Sequence, residues 1–202
     1  SGPTAEVFAN PTHPYTASLL SAVPTVRTED GTAMERERIR LRGAPPNPRD
    51  PPPACRFATR CPAKIRPEGV DLSEAAWDAV EEVRGVLRER ARREVSVTKT
   101  ITRRLGVRTD ETVSTIRTDL FKGIELPEGV IEELDRAVEL AAEGREADAS
   151  DHLRETLGSV CDEQTPSNSS VGDDWNSRCL RNREPYENVG PVIDRRESSS
   201  GN

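Results

Sequence analysis

The sequence predicts a mainly α-helical fold with irregular, proline-rich loops and a disordered C-terminal tail. Hydrophobic residues make up 33% and aromatic residues 3% of the 202 residues, whereas 32% are charged, so we expect a single modest core. Apolar residues recur at helical spacing in the central part of the chain, while 16 prolines and 13 glycines interrupt much of the rest. Short helices joined by irregular segments follow from this pattern.

Two short helices are predicted at the start of the chain, on either side of a rigid elbow. Thr4 is placed to cap a helix that reaches Phe8. The segment 10–14 ends this helix, because each of its two prolines lacks a backbone donor and pushes the preceding residue toward extended geometry. A second helix is expected from Tyr15 to Val23, stopped by the next proline.

The segment between these helices and the first cysteine is expected to contain little regular structure. Residues 27–38 are charged and loop-like, and the alternation at 39–43 predicts a short strand. Residues 44–54 contain six prolines, which predicts an extended, stiff connector leading directly to Cys55.

Helices are predicted through most of residues 73–158. The strongest pattern starts at Leu72-Ser73-Glu74 and places Trp77, Val80, Val83 and Leu87 on one helical face. Weaker patterns follow at 109–122, 127–143 and 146–158, and together they predict a small helical insertion. In 165–172 and 184–202, Ser, Asn, Gly and Pro dominate without periodicity, and we expect 184–202 to be disordered.

The four cysteines, Cys55, Cys61, Cys161 and Cys179, are separated by five, 99 and 17 residues. No CxxC pair is present, so the spacing alone leaves open two disulfides, four unrelated buried thiols, a structural zinc or another metal cluster. Joining the second cysteine to the third through an unstructured gap would cost roughly 4 kcal/mol of loop entropy. A folded insertion would bring these ends together beforehand.

Charge and hydropathy exclude several classes of function. The net charge of -7, without a concentrated basic stripe, disfavours a nucleic-acid partner, and the arginine-rich segment 84–93 is interpreted as a solvated helix face. No run approaches the roughly 20 apolar residues that cross a bilayer, and no secretion signal is recognised. We therefore expect a protein that is not exported. Because Met34 is the single methionine, we expect the sequence to begin inside a longer protein.

Two blocks of sequence carry a family resemblance. The first is residues 7–16, followed by 19–24, and the second runs from 41–43 through the prolines to 55–62. Both blocks, in this order, resemble the C-terminal region of the ATP-binding subunits of oligopeptide and dipeptide ABC transporters. The motif residues of the first block are Asn10, Pro11, His13, Pro14, Tyr15 and Thr16.

The resemblance also changes the interpretation of the cysteines. Several members of that family hold an iron-sulfur cluster on four cysteines, which implies that Cys55, Cys61, Cys161 and Cys179 bind a [4Fe-4S] cluster, with zinc as the alternative. Arg56 and Arg60 would then offset part of the thiolate charge. This sequence departs from the family in having no cysteine shortly after Cys61 and in having Leu180 where the family often has histidine.

The expected fold is therefore a small helical domain stapled by a four-cysteine metal site. We expect a transporter motif region at 1–62, a helical insertion at 63–160, a return segment with the last two cysteines at 161–183, and a disordered tail at 184–202. His13 is expected to make a structural hydrogen bond in the elbow, and His152, near Asp148 and Asp151, is expected to lie on the surface.

The resemblance implies a structural or regulatory module of a peptide importer. No GxxxxGK[ST] phosphate loop is present, so this chain is not expected to hydrolyse ATP, and ATP and Mg²⁺ would be held only by a nucleotide-binding domain outside it. The implied partners are that domain and the permease subunits, with peptide contacted indirectly, on the cytoplasmic face of the membrane. A stand-alone iron-sulfur or zinc redox or sensor protein is the alternative hypothesis, and a degenerate remnant is a third.

Overall fold

The structure, a computed structural model, describes residues 1–23, 26–27, 33–34, 38–49, 51–95 and 120–200. Its contacts divide the chain into two compact units. Unit 1 consists of Ser1–Ile65 together with Cys161–Asn202, and unit 2 is Arg66–Val160. Unit 2 therefore interrupts unit 1 in sequence, and all four cysteines belong to unit 1.

The secondary structure is mainly helical. In chain order the described helices are α1 (Thr4–Ala9), α2 (Pro14–Ser21), α3 (Glu74–Val95), α4 (Glu128–Ala142), α5 (Glu146–Thr156), α6 (Val160–Glu163) and α7 (Val189–Ser200). The strands are β1 (Val26–Arg27), β2 (Ala33–Met34), β3 (Ser169–Gly172) and β4 (Trp175–Ser177), and a 3-10 turn spans Leu180–Asn182. β1 pairs antiparallel with β2, and β3 pairs antiparallel with β4.

The elbow between α1 and α2 forms for the reasons that the sequence indicates. The Asn10 N–H still donates to the Glu6 carbonyl at 2.8 Å, after which the first proline of the elbow ends α1. His13 is the N-cap of α2, because its ring Nδ1 accepts from the Tyr15 N–H at 3.1 Å, and Pro14 occupies the first helical position, where a missing donor costs nothing.

A hairpin that the sequence did not predict follows α6. Ser169 pairs with Ser177 and Gly172 with Trp175, and the connection is Asp173–Asp174. Asp174 has φ 55°, a left-handed conformation that short polar residues tolerate in turns. The predicted strand at 39–43 is wrong: these residues have no strand partner among those the structure describes, and the Ile39 N–H donates to the Ser21 hydroxyl instead.

Unit 2 is built on α3, α4 and α5. The predicted face of α3 is confirmed, because Trp77, Val80, Val83 and Leu87 are all at most 2% exposed. They join a core that also includes Val130, Leu134, Ala137, Leu140, Ala149, Leu153 and Leu157. The Ser73 hydroxyl accepts from the Ala76 N–H at 3.1 Å at the start of α3. Most of the helix predicted at 109–122 lies outside the described residues.

The expectation of a disordered tail at 184–202 is wrong, because α7 forms there. Val189, Val192 and Ile193 are at most 6% exposed, and they pack with Ala17 and Ala63 in the core of unit 1. Their i, i+3, i+4 spacing is the helical signal that the surrounding Ser, Asn and Gly residues concealed. Burial of three aliphatic side chains offsets the entropy of ordering this segment.

None of the helices in the described part of the chain has both the length and the apolar character needed to cross a membrane.

We predict that Ile193→Ala lowers the free energy of unfolding by about 2 kcal/mol, because it removes a buried side chain from the small core of unit 1. Urea unfolding followed by circular dichroism measures this. Glu163→Ala is the control at an exposed position of unit 1, with an expected change within about 0.5 kcal/mol. Equal stabilities for the two variants would mean that α7 does not pack on the unit.

Candidate metal centre

Unit 1 brings together four cysteines, three of them in loops and Cys161 on α6. Cys161 is buried, and Cys55, Cys61 and Cys179 are half-buried. The Cys55 N–H donates to the Cys161 carbonyl at 3.2 Å, which joins the first and third cysteines across the inserted unit. The chain between the first two cysteines folds into two successive turns, with Ala58 N–H bonded to the Cys55 carbonyl and Arg60 N–H to the Phe57 carbonyl.

Three of the cysteines share a local geometry. The backbone groups of Phe57, Ala63 and Arg181 make hydrogen bonds to the sulfurs of the cysteines two residues before them, namely Cys55, Cys61 and Cys179. Each of these bonds lowers the pKa of its thiol, because an amide N–H stabilises the thiolate more than the thiol. The same local turn therefore presents three sulfurs as acceptors, and hydrogen bonds to sulfur are one of the means by which proteins tune thiolate metal sites.

The sulfurs are also close enough to influence one another. Burial raises the pKa of Cys61 well above its usual value, and the charges of Cys161, Cys179 and Cys55 raise it further. Burial, followed by the charges of Cys161 and Cys55, raises the pKa of Cys179 to about 11. These thiols are therefore protonated at neutral pH in the metal-free chain, and a metal must displace their protons in order to bind.

Two cations lie beside the sulfurs. The Lys64 Nζ is 2.8 Å from an Asp162 carboxylate oxygen, and these side chains are only 2% and 7% exposed. Arg181 interacts electrostatically with Cys61, Cys161 and Cys179. Arg60, which we expected to offset thiolate charge, instead donates to the Arg42 carbonyl at 3.3 Å, and Arg56 is exposed.

Four thiols are the donor type that zinc and iron-sulfur clusters use, but the described side chains do not by themselves form a metal site. No group of three or more His, Cys, Asp or Glu side chains in the described ranges is spaced to hold one metal ion. A tetrahedral zinc with four thiolates requires sulfurs roughly 3.8 Å apart, given Zn–S bonds of about 2.3 Å. All four cysteines are free thiols in this structure, so no disulfide competes for these sulfurs.

The elbow of the first motif block is tied to the loop that carries the last cysteine. The Thr12 carbonyl accepts from the Ser177 hydroxyl and from the Asn182 side-chain amide, each at 3.2 Å. The His13 ring, besides capping α2, makes a hydrogen bond to the Arg178 backbone. His13 therefore makes two hydrogen bonds, which is the kind of structural role that the sequence predicted for it. Through Thr12 and His13 the first segment of unit 1 contacts the second, Cys161–Asn202.

The remaining motif residues are mostly local supports. Asn10 ends α1, Pro11 follows it, and Thr16 lies in the first turn of α2. Tyr15 stacks edge-on against Phe57, with ring centroids 5.5 Å apart and planes at 74°, which joins α2 to the loop between the first two cysteines. On α2 and just beyond it, Tyr15, Leu19 and Val23 are 49%, 52% and 49% exposed and recur every four residues. These three residues form an apolar strip, and Phe8 on α1 is 45% exposed as well.

A cavity of about 700 Å³ lies elsewhere in unit 1, between the elbow and α7. Its polar lining consists of amides and hydroxyls, including Asn10, Thr12, Asn182 and Asn188, with Asp194 at its edge. Thr12 and Asn182 already bond to each other across it.

His152 remains outside the cysteine site. Its Nε2 lies 2.7 Å from a Glu133 carboxylate oxygen, so it joins α5 to α4 within unit 2. The sequence placed Asp148 and Asp151 near it, but these carboxylates pair with Arg145 and Arg154 instead.

The sequence analysis missed Lys64, Asp162 and Arg181. Lys64 is one of only three lysines in the chain and directly follows the second cysteine block, and Asp162 directly follows Cys161. Arg181 lies two residues after Cys179. The nearness of these residues to cysteines was a usable signal. The pairing of Lys64 with Asp162 across 98 residues was not visible in the sequence.

The family matches divide the chain close to the boundary between the first segment of unit 1 and unit 2, which lies between Ile65 and Arg66. Residues 1–66 match the family described as "Oligopeptide/dipeptide transporter, C-terminal region", as the resemblance indicated. Residues 74–174 match the family described as "Domain of unknown function (DUF8228)", which is half of the chain. This second match covers the described helices of unit 2 and continues through Cys161 to the turn of the β3–β4 hairpin.

Among curated proteins, the chain is similar to ATP-binding subunits of peptide transporters. It is 47% identical over 62 residues to the dipeptide transport ATP-binding protein DppF of Escherichia coli, covering 31% of this chain and 17% of that protein. It is 51% identical over 57 residues to the oligopeptide transport ATP-binding protein AppF of Bacillus subtilis, covering 28% and 17%. The chain thus spans about a sixth of these relatives. No solved structure matches it.

We predict that the burial of His13 makes unit 1 less stable in acid. Burial lowers the pKa of His13 below 6.5, so as the pH falls below 6.5 the unfolded chain takes up a proton that the folded chain resists. The stabilisation is complete above pH 6.5 and declines below it. Urea unfolding between pH 7.5 and about 5 measures this dependence.

His13→Asn is the informative variant, because asparagine keeps a capping acceptor but does not titrate. We expect it to be less pH-dependent than the wild type. His13→Ala should cost about 1 kcal/mol at neutral pH through loss of the cap. An asparagine variant with the same acid dependence as the wild type would exclude His13 as its source.

Proposed function

The chain belongs to the family described as "Domain of unknown function (DUF8228)" and carries the C-terminal region of oligopeptide/dipeptide transporters, and we propose that it is a module of a peptide-importer ATP-binding subunit. The observation that carries this proposal is the match of residues 1–66 to the transporter C-terminal region. The motif residues of this match form the elbow between α1 and α2. The module's role is structural or regulatory, and nucleotide hydrolysis belongs to the nucleotide-binding domain.

The apolar strip of Tyr15, Leu19 and Val23 is the docking surface for that nucleotide-binding domain. The strip belongs to the block shared with the transporter subunits, and about five sixths of each of those subunits lies outside the matched region. Its side chains are about half exposed, so covering them would remove apolar surface from water and favour association. Through this domain the module would associate with the permease on the cytoplasmic face of the membrane.

The second part of the proposal is that Cys55, Cys61, Cys161 and Cys179 hold a [4Fe-4S] cluster. Four thiolates are the ligand set that such a cluster requires. Backbone hydrogen bonds to three of the sulfurs, the mutual influence of the thiols, and the nearby cations Lys64 and Arg181 support the assignment. When bound, the cluster would cross-link three loops and α6, which stabilises a unit that has a small apolar core.

A chimera tests the transporter role. In it, the full 202-residue chain replaces the C-terminal region of the Escherichia coli dipeptide transport ATP-binding protein, in a strain that lacks that subunit. We expect growth on a dipeptide as the required amino-acid source. The double substitution Leu19→Asp and Val23→Asp should abolish this growth, because it places charges on the apolar strip.

Arg49→Asp, at an exposed position away from the strip, is the control and should leave growth unchanged. Subunit levels are compared by immunoblot in every strain. A chimera that accumulates normally without supporting growth contradicts the transporter role. A doubly substituted chimera that grows like the unsubstituted one contradicts docking through the strip alone.

Metal analysis tests the cysteine site. After anaerobic purification, we expect about four irons and four sulfides per chain, with loss of both in Cys55→Ser and in Cys161→Ser, because one cluster needs ligands from both sides of the insertion. Iron, sulfide and zinc are measured together with the visible absorption spectrum. Zinc in place of iron would retain the site and exclude the cluster, and a cysteine variant that keeps its full metal content would remove that residue from the ligand set.

A further inference from the structure

The cavity between the elbow and α7 has an apolar floor and a polar rim. The floor consists of buried aliphatic side chains, with Ala17 6%, Val189 1% and Ile193 6% exposed. Asn188 and Asp194 are exposed and form part of the rim, just before α7 and in its second turn. The volume of about 700 Å³ lies within the range of about 300–1,000 Å³ that is usual for small-ligand sites. The cavity therefore has both the size and the layered lining of such a site.

Hydrogen bonds hold part of the polar lining in place. The Asn182 side-chain amide donates to the Thr12 carbonyl at 3.2 Å, which joins the 3-10 turn to the elbow. The buried Ser21 hydroxyl accepts from the Ile39 N–H at 3.0 Å. All four of these residues line the cavity. A ligand would therefore meet a largely preformed surface, which lowers the entropic cost of binding.

The charge of the lining disfavours anionic ligands. Asp194 is the single ionisable side chain among the lining residues that the structure describes. Phosphate groups are usually held by arginine or lysine side chains, and neither residue type belongs to this lining as described. The Asp194 carboxylate would instead attract a positively charged group. We therefore expect a ligand that places a cationic group at this point of the rim.

The asparagines of the lining match the polar groups of a peptide. Asn10, Asn182 and Asn188 all line the cavity. A side-chain amide presents N–H donors and a carbonyl acceptor, which are the groups that a peptide bond presents in turn. A chain of peptide bonds can therefore exchange hydrogen bonds with several of these side chains. A simple amine would satisfy Asp194 but would offer the asparagines no acceptor.

We propose that this cavity binds a short peptide with a free amino terminus. The α-ammonium group lies at Asp194, and the peptide groups lie against the asparagine side chains. An aliphatic side chain of the peptide packs on the floor of Ala17, Val189 and Ile193. The carboxylate of the peptide faces solvent at the exposed rim. This site does not depend on the cysteines, and only the identification of its ligand as the imported peptide rests on the proposed function.

Calorimetric titration of the full 202-residue chain with the dipeptide alanyl-leucine tests this proposal. Two matched ligands are titrated in parallel: N-acetyl-alanyl-leucine lacks the ammonium group, and glycyl-glycine lacks the aliphatic side chain. The informative variant is Asp194→Asn, which removes the carboxylate charge with little change of size. Asp173→Asn is the control, at an exposed position of the β3–β4 turn that does not line the cavity. Circular dichroism checks the folding of each chain.

We expect wild type and Asp173→Asn to bind alanyl-leucine with equal affinity. Asp194→Asn should bind it about tenfold more weakly, because the variant loses a charge-assisted hydrogen bond. Acetylation of the ligand should weaken binding to wild type by a similar factor. It should weaken binding to Asp194→Asn little further, since the two changes remove the same interaction. Glycyl-glycine should bind more weakly than alanyl-leucine to every chain, because it leaves the floor uncovered.

The outcomes separate this inference from the proposed function. A folded wild-type chain that does not bind alanyl-leucine at millimolar concentration overturns the peptide site and leaves the transporter role to the chimera. Affinity that changes neither in Asp194→Asn nor on acetylation overturns the placement of the amino terminus. If Asp194→Asn does not fold, the comparison of the two alanyl-leucine ligands on wild type decides this point. Peptide binding by a chain whose chimera supports no growth keeps the site and overturns the imported peptide as its ligand.

Discussion

The structure of unit 1 depends on closing the chain across a long insertion, and the buried ion pair between Lys64 and Asp162 lies at that closure. These residues stand at the exit from the first segment and at the return to the second, 2.8 Å apart and almost fully shielded from water. Removing one partner of such a pair commonly costs about 3–5 kcal/mol, because the other charge is left buried. The backbone bond between Cys55 and Cys161 lies at the same closure. Without it, the first two and last two cysteines would belong to separate segments.

The chemistry of the site follows from this closure. Neutral thiols can lie close together at little electrostatic cost. Four thiolates repel one another unless cations or a metal stabilise them. The backbone hydrogen bonds to three sulfurs and the positions of Lys64 and Arg181 supply part of that stabilisation. Unit 1 therefore has a small apolar core on α7 and a polar centre that contains the cysteines. Cys61 and Cys179 belong to this centre and also pack against the apolar core.

The two units divide the functional roles. Unit 1 carries the transporter motif block, the cysteines and the exposed apolar strip, whereas unit 2 has its own helical core and no cysteine. The second family match runs from residue 74 to residue 174, so it includes the helices of unit 2 and continues through Cys161 into unit 1. The elbow at Thr12 and His13 then ties that return segment to the motif block.

The sequence by itself determined several of the helices and the transporter resemblance of residues 1–66. Helical periodicity gave α3, α4 and α5, the prolines gave the elbow, and the two motif blocks gave the transporter resemblance, because these features depend on neighbouring residues. Only the tertiary structure decided which residues meet across the insertion. Arg181 donates to the carbonyls of Ala63 and Lys64, and Lys64 pairs with Asp162. These contacts depend on distant partners, as does the burial of Val189, Val192 and Ile193. A long-range contact leaves no periodic signal in a single sequence, since its energy is set by where the chain returns in space.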